Sequence, residues 1–209
     1  MIAIIDYGVG NLFSLGSSLA ALGARAVVTG DPSVIRAADK LILPGVGAFA
    51  DAAALLRRDG LDQVVRDEAR RGKSLLGICL GMQLLLEESL EYGRHSGLNL
   101  IPGTAVPIRE VIPAGYKVPH IGWNALHFPQ GRPVHPLFSH IQEGDCVYFV
   151  HSYYGAGCGG SVIATAEYGP ELTAAVARDN VMGVQFHPEK SGAVGLNILR
   201  AFCEGVAPC

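Results

Sequence analysis

The chain has 209 residues, of which 49% are apolar and 17% charged, and its formal net charge is −3. A chain of this size and composition can bury a substantial core, which argues against a disordered protein or a coiled coil. The small negative charge gives no reason to expect a nucleic-acid partner. We predict one domain over residues 1–209.

The cysteines and the N-terminal segment indicate in which cellular compartment the protein is expected. Five cysteines without a CxxC pair indicate neither a disulfide framework nor a zinc site. The apolar segment Ile2–Ile5 has no basic flank and meets Asp6 directly, which is typical of a strand and not of a signal peptide. No apolar run approaches membrane-spanning length. We therefore expect a reduced cytoplasmic protein without a metal or other cofactor and without a membrane contact.

The first half of the chain alternates short apolar runs with helical patterns. Strands are predicted over Ile2–Ile5, Ala26–Thr29, 40–43 and 74–78, and helices over a leucine-rich stretch ending at Gly23, a segment opening with Asp31 and Pro32, 48–58 and 61–71. Strands that alternate with helices in this way predict a parallel sheet covered by helices on both faces.

The second half has a different pattern. Prolines and glycines interrupt residues 101–136, which indicates antiparallel or edge strands and long loops. Further elements are predicted as strands at 146–150, Val162–Glu167, 172–177 and 181–186, with a turn at 179–180, and as a helix at 193–204. The predicted fold class is α/β, with an open, mostly parallel sheet, helices on both faces and additional antiparallel strands in the second half.

The sequence GICLG at 77–81 joins a predicted buried strand to a helix predicted over 82–87. Glycines on both sides of Cys79 are what a sharp strand-to-helix turn requires, and such a turn presents the thiol at the carboxyl edge of the sheet. The helix N-terminus favours a thiolate there, and the Leu80 N–H is a candidate oxyanion donor. A buried structural cysteine is the competing interpretation.

The other cysteines lack this setting. Cys146 is expected to pack in a strand, and Cys158, Cys203 and Cys209 are expected in loops or in the tail.

A cysteine nucleophile needs a base, and His187 ends a predicted strand directly before Pro188. Proline keeps the preceding residue extended, and residues two apart in an extended segment point the same way. Glu189 can therefore bind one imidazole nitrogen while the other faces Cys79, which is the order of a catalytic triad. A surface turn without a role is the alternative for this tripeptide taken alone.

Two of these motifs, GICLGMQ at 77–83 and FHPE at 186–189, resemble those of the class I, triad-type glutamine amidotransferases. Further motifs are similar to the branch of that family that supplies ammonia for histidine biosynthesis, and they lie at 6–12, 44–49, 117–124, 148–153 and 183–191. Met82 agrees with that branch, since many other relatives have histidine at this position. Ser152 departs from it, since a threonine is often found there.

The resemblance implies a glutaminase that hydrolyses glutamine to glutamate and ammonia, with Cys79, His187 and Glu189 as its triad. It also implies that residues 44–47 form an oxyanion strand in which the Val46 N–H joins that of Leu80. Two glycines in this strand permit a peptide flip, although an ordinary strand-to-helix turn has the same pattern.

The resemblance further implies a set of residues that hold the substrate, namely Gly45, Gly47, Gln83, Glu91, His151, Ser152 and Tyr153. Gln83 lies four residues after Cys79 and therefore on the same helix face. The competing interpretations are a solvated surface acid for Glu91 and β-edge packing for residues 151–153.

The resemblance also implies a partner, because free ammonia in neutral water is mostly protonated. In this branch the partner is a (β/α)₈-barrel cyclase, which docks over the site as a heterodimer and makes imidazole glycerol phosphate and aminoimidazole carboxamide ribonucleotide. The positions that match its interface are Asn11, Trp123, Tyr148 and Lys190. Trp123 is the only tryptophan, and indoles are typical interface anchors, with core packing as the alternative.

Three other functions compete. One is a glutaminase serving another synthase, such as those of anthranilate or aminodeoxychorismate, against which Met82 and the 117–124 motif weigh. The second is a catalytically silent regulatory module, which the intact Cys79, His187 and Glu189 disfavour. The third is a related cysteine hydrolase acting on peptides or esters.

Overall fold

The computed structural model describes residues 1–205. The strands are β1 (Ile2–Ile5), β2 (Ala26–Thr29), β3 (Lys40–Gly45), β4 (Ser74–Cys79), β5 (Glu88–Ser89), β6 (His95–Ser96), β7 (Thr104–Pro107), β8 (His120–Ala125), β9 (Cys146–His151), β10 (Tyr153–Ala156), β11 (Val162–Glu167), β12 (Glu171–Arg178) and β13 (Val181–Val184). The helices are α1 (Leu12–Ala21), α2 (Pro32–Ala37), α3 (Phe49–Arg58), α4 (Leu61–Arg70), α5 (Leu80–Leu85) and α6 (Gly192–Glu204), with short 3₁₀ turns at Ile108–Glu110, Pro136–Phe138, Gly159–Ser161 and Pro188–Lys190.

The central sheet has seven strands in the order β11-β12-β13-β4-β3-β1-β2. Strands β13, β4, β3, β1 and β2 are parallel neighbours, and β11 and β12 add to the β13 edge in antiparallel fashion. This confirms the predicted α/β fold. In the parallel register Gly45 pairs with Cys79, so the carboxyl ends of β3 and β4 meet at the centre of the sheet.

Both faces of the sheet are covered, which explains why its strands are continuous apolar runs. Alternate residues of β1 point into two cores, with Ala3 and Ile5 in one and Ile2 and Ile4 in the other. Helices α2, α3, α4 and α5 contribute to the first core, and α1 and α6 to the second. No helix within residues 1–205 is long and apolar enough to cross a membrane.

Two smaller sheets occupy the region predicted as edge strands and loops. One has the strand order β10-β7-β5-β6, and the other is an antiparallel pair of β8 and β9. In the pair, His120 lies opposite His151 and Trp123 opposite Tyr148. The β8–β9 pair therefore links His151, which was predicted to hold the substrate, to Trp123 and Tyr148, which were predicted for the interface.

Some predicted boundaries were wrong. The helix after Cys79 begins at Leu80 and ends at Leu85, not at 82 and 87, because the chain continues at once into β5. Strand β13 ends at Val184, two residues early. Cys146 begins a strand but is exposed, and Cys203 lies in α6 instead of a loop. Cys209 lies outside the described residues.

Helix α5 begins in very close contact with β3. A Cβ built on Gly81 would lie 1.8 Å from the Leu43 carbonyl oxygen, a distance that no side chain can accept. Gly16 in α1 is also a helical glycine but has free space around it, because a Cβ there has no neighbouring atom within 4 Å.

We therefore expect Gly81→Ala to destabilise the protein by at least about 3 kcal/mol, because α5 must move away from β3. Gly16→Ala should instead stabilise it by about 0.5–1 kcal/mol, since alanine is the better helix former. Urea denaturation followed by circular dichroism measures both. Equal unfolding midpoints for the two variants would contradict this account of the contact.

Candidate active site

A cavity of about 340 Å³ opens where β3, β4 and β9 end. Its lining residues are Val46, Gly47, Cys79, Leu80, Gln83, Glu91, Pro119, Val150, His151, Ser152, Tyr153, His187 and Lys190. Most of the catalytic and substrate-binding residues predicted from the sequence thus line this one cavity. Three larger cavities lie elsewhere in the described residues. Those of about 550 and 460 Å³ border residues 129–136 and carry no thiol, and the one of about 400 Å³ includes Cys203 but no histidine.

Cys79 stands at a strained turn between β4 and α5. Its φ of 54° and ψ of −111° are rare for a residue with a side chain, and such conformations cost about 1–3 kcal/mol and concentrate at functional sites. The turn is tight enough that a Cβ on Gly77 would lie 2.7 Å from the Gly81 carbonyl oxygen. The predicted requirement for both glycines is confirmed.

His187 and Glu189 form a buried pair beside Cys79. The His187 Nδ1–H donates to Glu189 Oε1 at 2.8 Å, and each side chain is only 3% exposed. The His187 backbone is extended, as the following proline predicts. It is tied to β9 because the His187 N–H donates to the Tyr148 carbonyl at 3.0 Å, and the Ser191 hydroxyl donates to the His187 carbonyl at 2.6 Å.

The electrostatics of His187 suit a group that holds a proton. Burial disfavours its charged form, but the interactions with Cys79 and Glu189 outweigh burial and raise the pKa of His187 to about 9. Because Nδ1 carries the proton that faces Glu189, Nε2 is the nitrogen left to exchange a proton with another group.

His151, the other histidine of the cavity, is poorly suited to act as a base. Its Nδ1–H donates to the Tyr153 carbonyl at 2.8 Å, and its Nε2 lies 3.0 Å from His120 Nδ1. Both nitrogens are thus occupied. Burial also lowers the pKa of His151 to about 3, which keeps the imidazole neutral.

Two backbone N–H groups are candidates for an oxyanion site. The N–H of Leu80 is in the first turn of α5, where helical amides have no partner within the helix. Val46 follows β3 at the same cavity, and the next residue, Gly47, has a φ of 95° that glycine adopts without strain. Gly45 does not line the cavity. A Cβ there would lie 2.8 Å from the Gly81 nitrogen, so its place is in the packing of the turn.

Gln83 and Glu91 present polar atoms to the cavity. The Gln83 Nε2 amide donates to the Tyr153 carbonyl at 3.2 Å and to Gln185 Oε1 at 3.0 Å, which leaves its Oε1 as an acceptor for a ligand. Glu91 Oε2 accepts from the Phe49 N–H at 2.6 Å, so this carboxylate also caps α3. It is therefore not a freely solvated acid.

Of the four residues predicted for an interface, only Lys190 lines the cavity. Trp123 is 55% exposed and does not pack in the core. Its ring contacts that of Tyr148 edge to face with centroids 5.9 Å apart, and Lys190 Nζ lies 5.9 Å from the Tyr148 ring centroid. Asn11 instead reaches the triad, since its Nδ2 donates to Glu189 Oε1 at 3.4 Å.

Gln185 was missed at the sequence level. It is completely buried, and its Nε2 lies 3.7 Å from the Cys79 sulfur. The signal that points to it is its position two residues before His187, because residues two apart in an extended segment face the same way. Within residues 1–205 no three His, Cys, Asp or Glu side chains are grouped to hold a metal ion.

Comparison with known proteins agrees with this geometry. The family model for glutamine amidotransferase class-I matches residues 3–205, and the chain belongs to this family. It is 49% identical over 207 residues to the imidazole glycerol phosphate synthase subunit HisH of Geobacter sulfurreducens, covering 97% of this chain and 98% of that protein. It is 52% identical over 204 residues to the HisH subunit of Moorella thermoacetica, covering 97% and 94%. These identities group it with the HisH subunits.

Solved structures share the fold. A crystal structure of a glutamine amidotransferase matches with a TM-score of 0.75 at 20% identity, covering 99% of this chain and all of the other, 100%. The structure of PurLQS from Thermotoga maritima matches with a TM-score of 0.72 at 18% identity, covering 97% of each chain.

The buried neutral state of His151 predicts a loss of stability in acid. Its pKa is about 3 when folded and about 6.5 when unfolded, so below pH 6.5 the unfolded chain binds a proton that the folded chain does not. Stability is therefore full above pH 6.5 and decreases as the pH falls. At pH 5 this residue alone lowers the free energy of unfolding by about 2 kcal/mol relative to its value well above pH 6.5.

His151→Gln keeps a side-chain donor for the Tyr153 carbonyl but cannot be protonated, and it should remove this part of the pH dependence. Unfolding free energies at pH 7 and pH 5 measure the effect. His95→Gln, outside the cavity, serves as the control and should retain the dependence of the unmodified protein. A His151→Gln variant with an unchanged pH dependence would show that His151 is charged in the fold.

Proposed function

We propose that this chain is a glutaminase subunit that hydrolyses glutamine to glutamate and ammonia and delivers the ammonia to a cyclase making imidazole glycerol phosphate in histidine biosynthesis. The observation that carries the proposal is the meeting of Cys79, at a helix N-terminus, with the hydrogen-bonded His187–Glu189 pair in one cavity. The HisH relatives, about half identical over their length, favour this branch over the anthranilate and aminodeoxychorismate glutaminases.

In the first step, the Cys79 sulfur, whose proton is already held by His187 Nε2, attacks the side-chain amide carbon of glutamine. The charge that develops on the amide oxygen is stabilised by the Leu80 N–H and, when its peptide points inward, by the Val46 N–H. His187 then returns the proton to the departing nitrogen, and ammonia leaves a glutamyl thioester on Cys79.

In the second step, water attacks the thioester carbonyl and gives a proton to His187. The carbon–sulfur bond breaks and glutamate leaves, while the proton stays on His187 beside the Cys79 sulfur. Glu189 holds the imidazole in the required tautomer in both steps and stabilises its charged form.

The cavity suits one amino acid. Its volume of about 340 Å³ is near the lower end of ligand pockets, which span roughly 300–1,000 Å³. Gln83 Oε1 and the Glu91 carboxylate are acceptors for the α-amino group of glutamine. Ser152 and Tyr153 form the adjacent wall, and Gly47 allows the backbone to approach the amide.

The cyclase, a (β/α)₈ barrel, is proposed to dock over the mouth of the cavity in a heterodimer. Trp123, Tyr148 and Lys190 form a contiguous, partly exposed surface there, and an exposed indole is a typical binding anchor. Asn11 would transmit contact with the partner to Glu189. We further propose one amidotransferase domain over 1–209 and, from the free thiols, a cytoplasmic location.

The triad assignment is tested by comparing three variants of the complex. His187→Asn should lose at least about 10³-fold in ammonia release and approach the level of Cys79→Ala, because triad residues act as a unit. Glu189→Gln should lose less, since it orients the base without transferring the proton. His95→Asn provides the control for histidine replacement. Near-native turnover of His187→Asn would contradict the assignment.

Coupling to the partner is tested by measuring ammonia release in three states: the isolated subunit, the complex, and the complex with the nucleotide substrate of the cyclase. We expect a low rate alone and strong activation with ligand, because Val46 is 41% exposed at the proposed interface and Gly47 permits two peptide orientations. Equal turnover in all three states would contradict gating. Activation by docking alone would assign the switch to contacts such as Trp123 and Lys190.

A further inference from the structure

Gln185 is a buried polar residue that the steps above leave without a role. Its side chain is 0% exposed, and its backbone N–H is already satisfied by the Ala174 carbonyl at 2.8 Å. A carboxamide buried this completely is costly unless both of its ends have partners. The partners that it has are Gln83 and the sulfur of Cys79.

The direction of this hydrogen-bond chain is fixed at its far end. The Tyr153 carbonyl can only accept, so the Gln83 group that faces it at 3.2 Å is the Nε2 amide. The second hydrogen of the same amide points to Gln185 Oε1 at 3.0 Å. Gln185 therefore has its Nε2–H turned toward the Cys79 sulfur at 3.7 Å, and rotating its carboxamide would oppose two donors.

An N–H donor at sulfur favours one protonation state. A thiolate accepts this hydrogen bond more strongly than a thiol does, because hydrogen bonds to ionised groups are stronger than those between neutral groups. The Val150 carbonyl, 4.0 Å from the sulfur, acts in the opposite sense because it accepts from the thiol. The other titratable neighbours are His187 and Tyr7, whose hydroxyl donates away from the sulfur to the Pro44 carbonyl at 2.7 Å.

We propose that Gln185 is a further catalytic residue, whose side-chain N–H stabilises the Cys79 thiolate while Gln83 holds it in orientation. This inference rests on the proposed glutaminase reaction and adds a residue to it. Gln83 lines the cavity and also touches Gln185, so the same side chain that meets the substrate fixes the donor at the nucleophile.

The test measures how readily Cys79 ionises, without using glutamine. The rate of iodoacetamide alkylation is followed from pH 5 to pH 10 in the full chain, with Cys79→Ala as the background for the remaining thiols. Gln185→Met, which removes the donor but keeps the length, should move the pH midpoint up by about one unit and slow alkylation about tenfold at pH 6. Gln185→Glu, which places a carboxylate against the sulfur, should move it further.

Met82→Leu is the control for repacking, because Met82 is also completely buried and is replaced at nearly constant volume. It should leave the midpoint unchanged. An unshifted midpoint in both Gln185 variants, with native circular dichroism in at least one, would overturn the proposal. In the complex, Gln185→Met should lower kcat about tenfold with little change in KM.

The two proposals fail in different ways. If the unmodified complex released no ammonia from glutamine, the proposed function would be wrong, while the alkylation midpoints would still decide the role of Gln185. If ammonia release were normal but the midpoints did not move, Gln185 would be a packing residue only.

Discussion

The close approach of Gly81 to the Leu43 carbonyl constrains the part of the candidate site around Cys79. It places the first turn of α5 directly against β3, and the chain can only enter that turn if Cys79 takes a positive φ. The same approach brings Leu80 and Val46, which follow neighbouring strands, to one side of the thiol. The positions of the candidate nucleophile and of its two candidate oxyanion donors thus follow from how closely a helix packs on a strand.

The β8–β9 pair supplies the other half of the site, and it has an inner and an outer side. Along β8, His120 points inward to His151, whereas Trp123 points outward and is half exposed. Along β9, Tyr148 contacts Trp123 and its backbone carbonyl holds His187. A protein bound to the outer side would therefore press on a strand that is hydrogen-bonded to His187.

The sequence predicted the central sheet well, because its strands are buried on both faces and appear as continuous apolar runs. It also predicted that Cys79, His187 and Glu189 would meet, since all three follow strand ends at one edge. Strand β10 was not predictable, because it depends on pairing with the distant strand β7. Gln185 was overlooked, although its position two residues before His187 places it on the same side of the chain. Gly45, expected at the substrate from the resemblance, lies instead in the packing of the turn.

The four-stranded sheet β10-β7-β5-β6 also positions polar groups of the candidate site. Tyr153 begins β10, which pairs with β7, and its carbonyl accepts from both His151 and Gln83. One acceptor thereby fixes the tautomer of His151 and, through Gln83, the orientation of Gln185 at the sulfur. Because β10 belongs to a sheet outside the parallel core, displacing that sheet would disturb the hydrogen bonds of Gln83, Gln185 and His151 while leaving the turn at Cys79 intact. The fold thus separates the nucleophile, fixed by backbone packing, from the polar groups that adjust it.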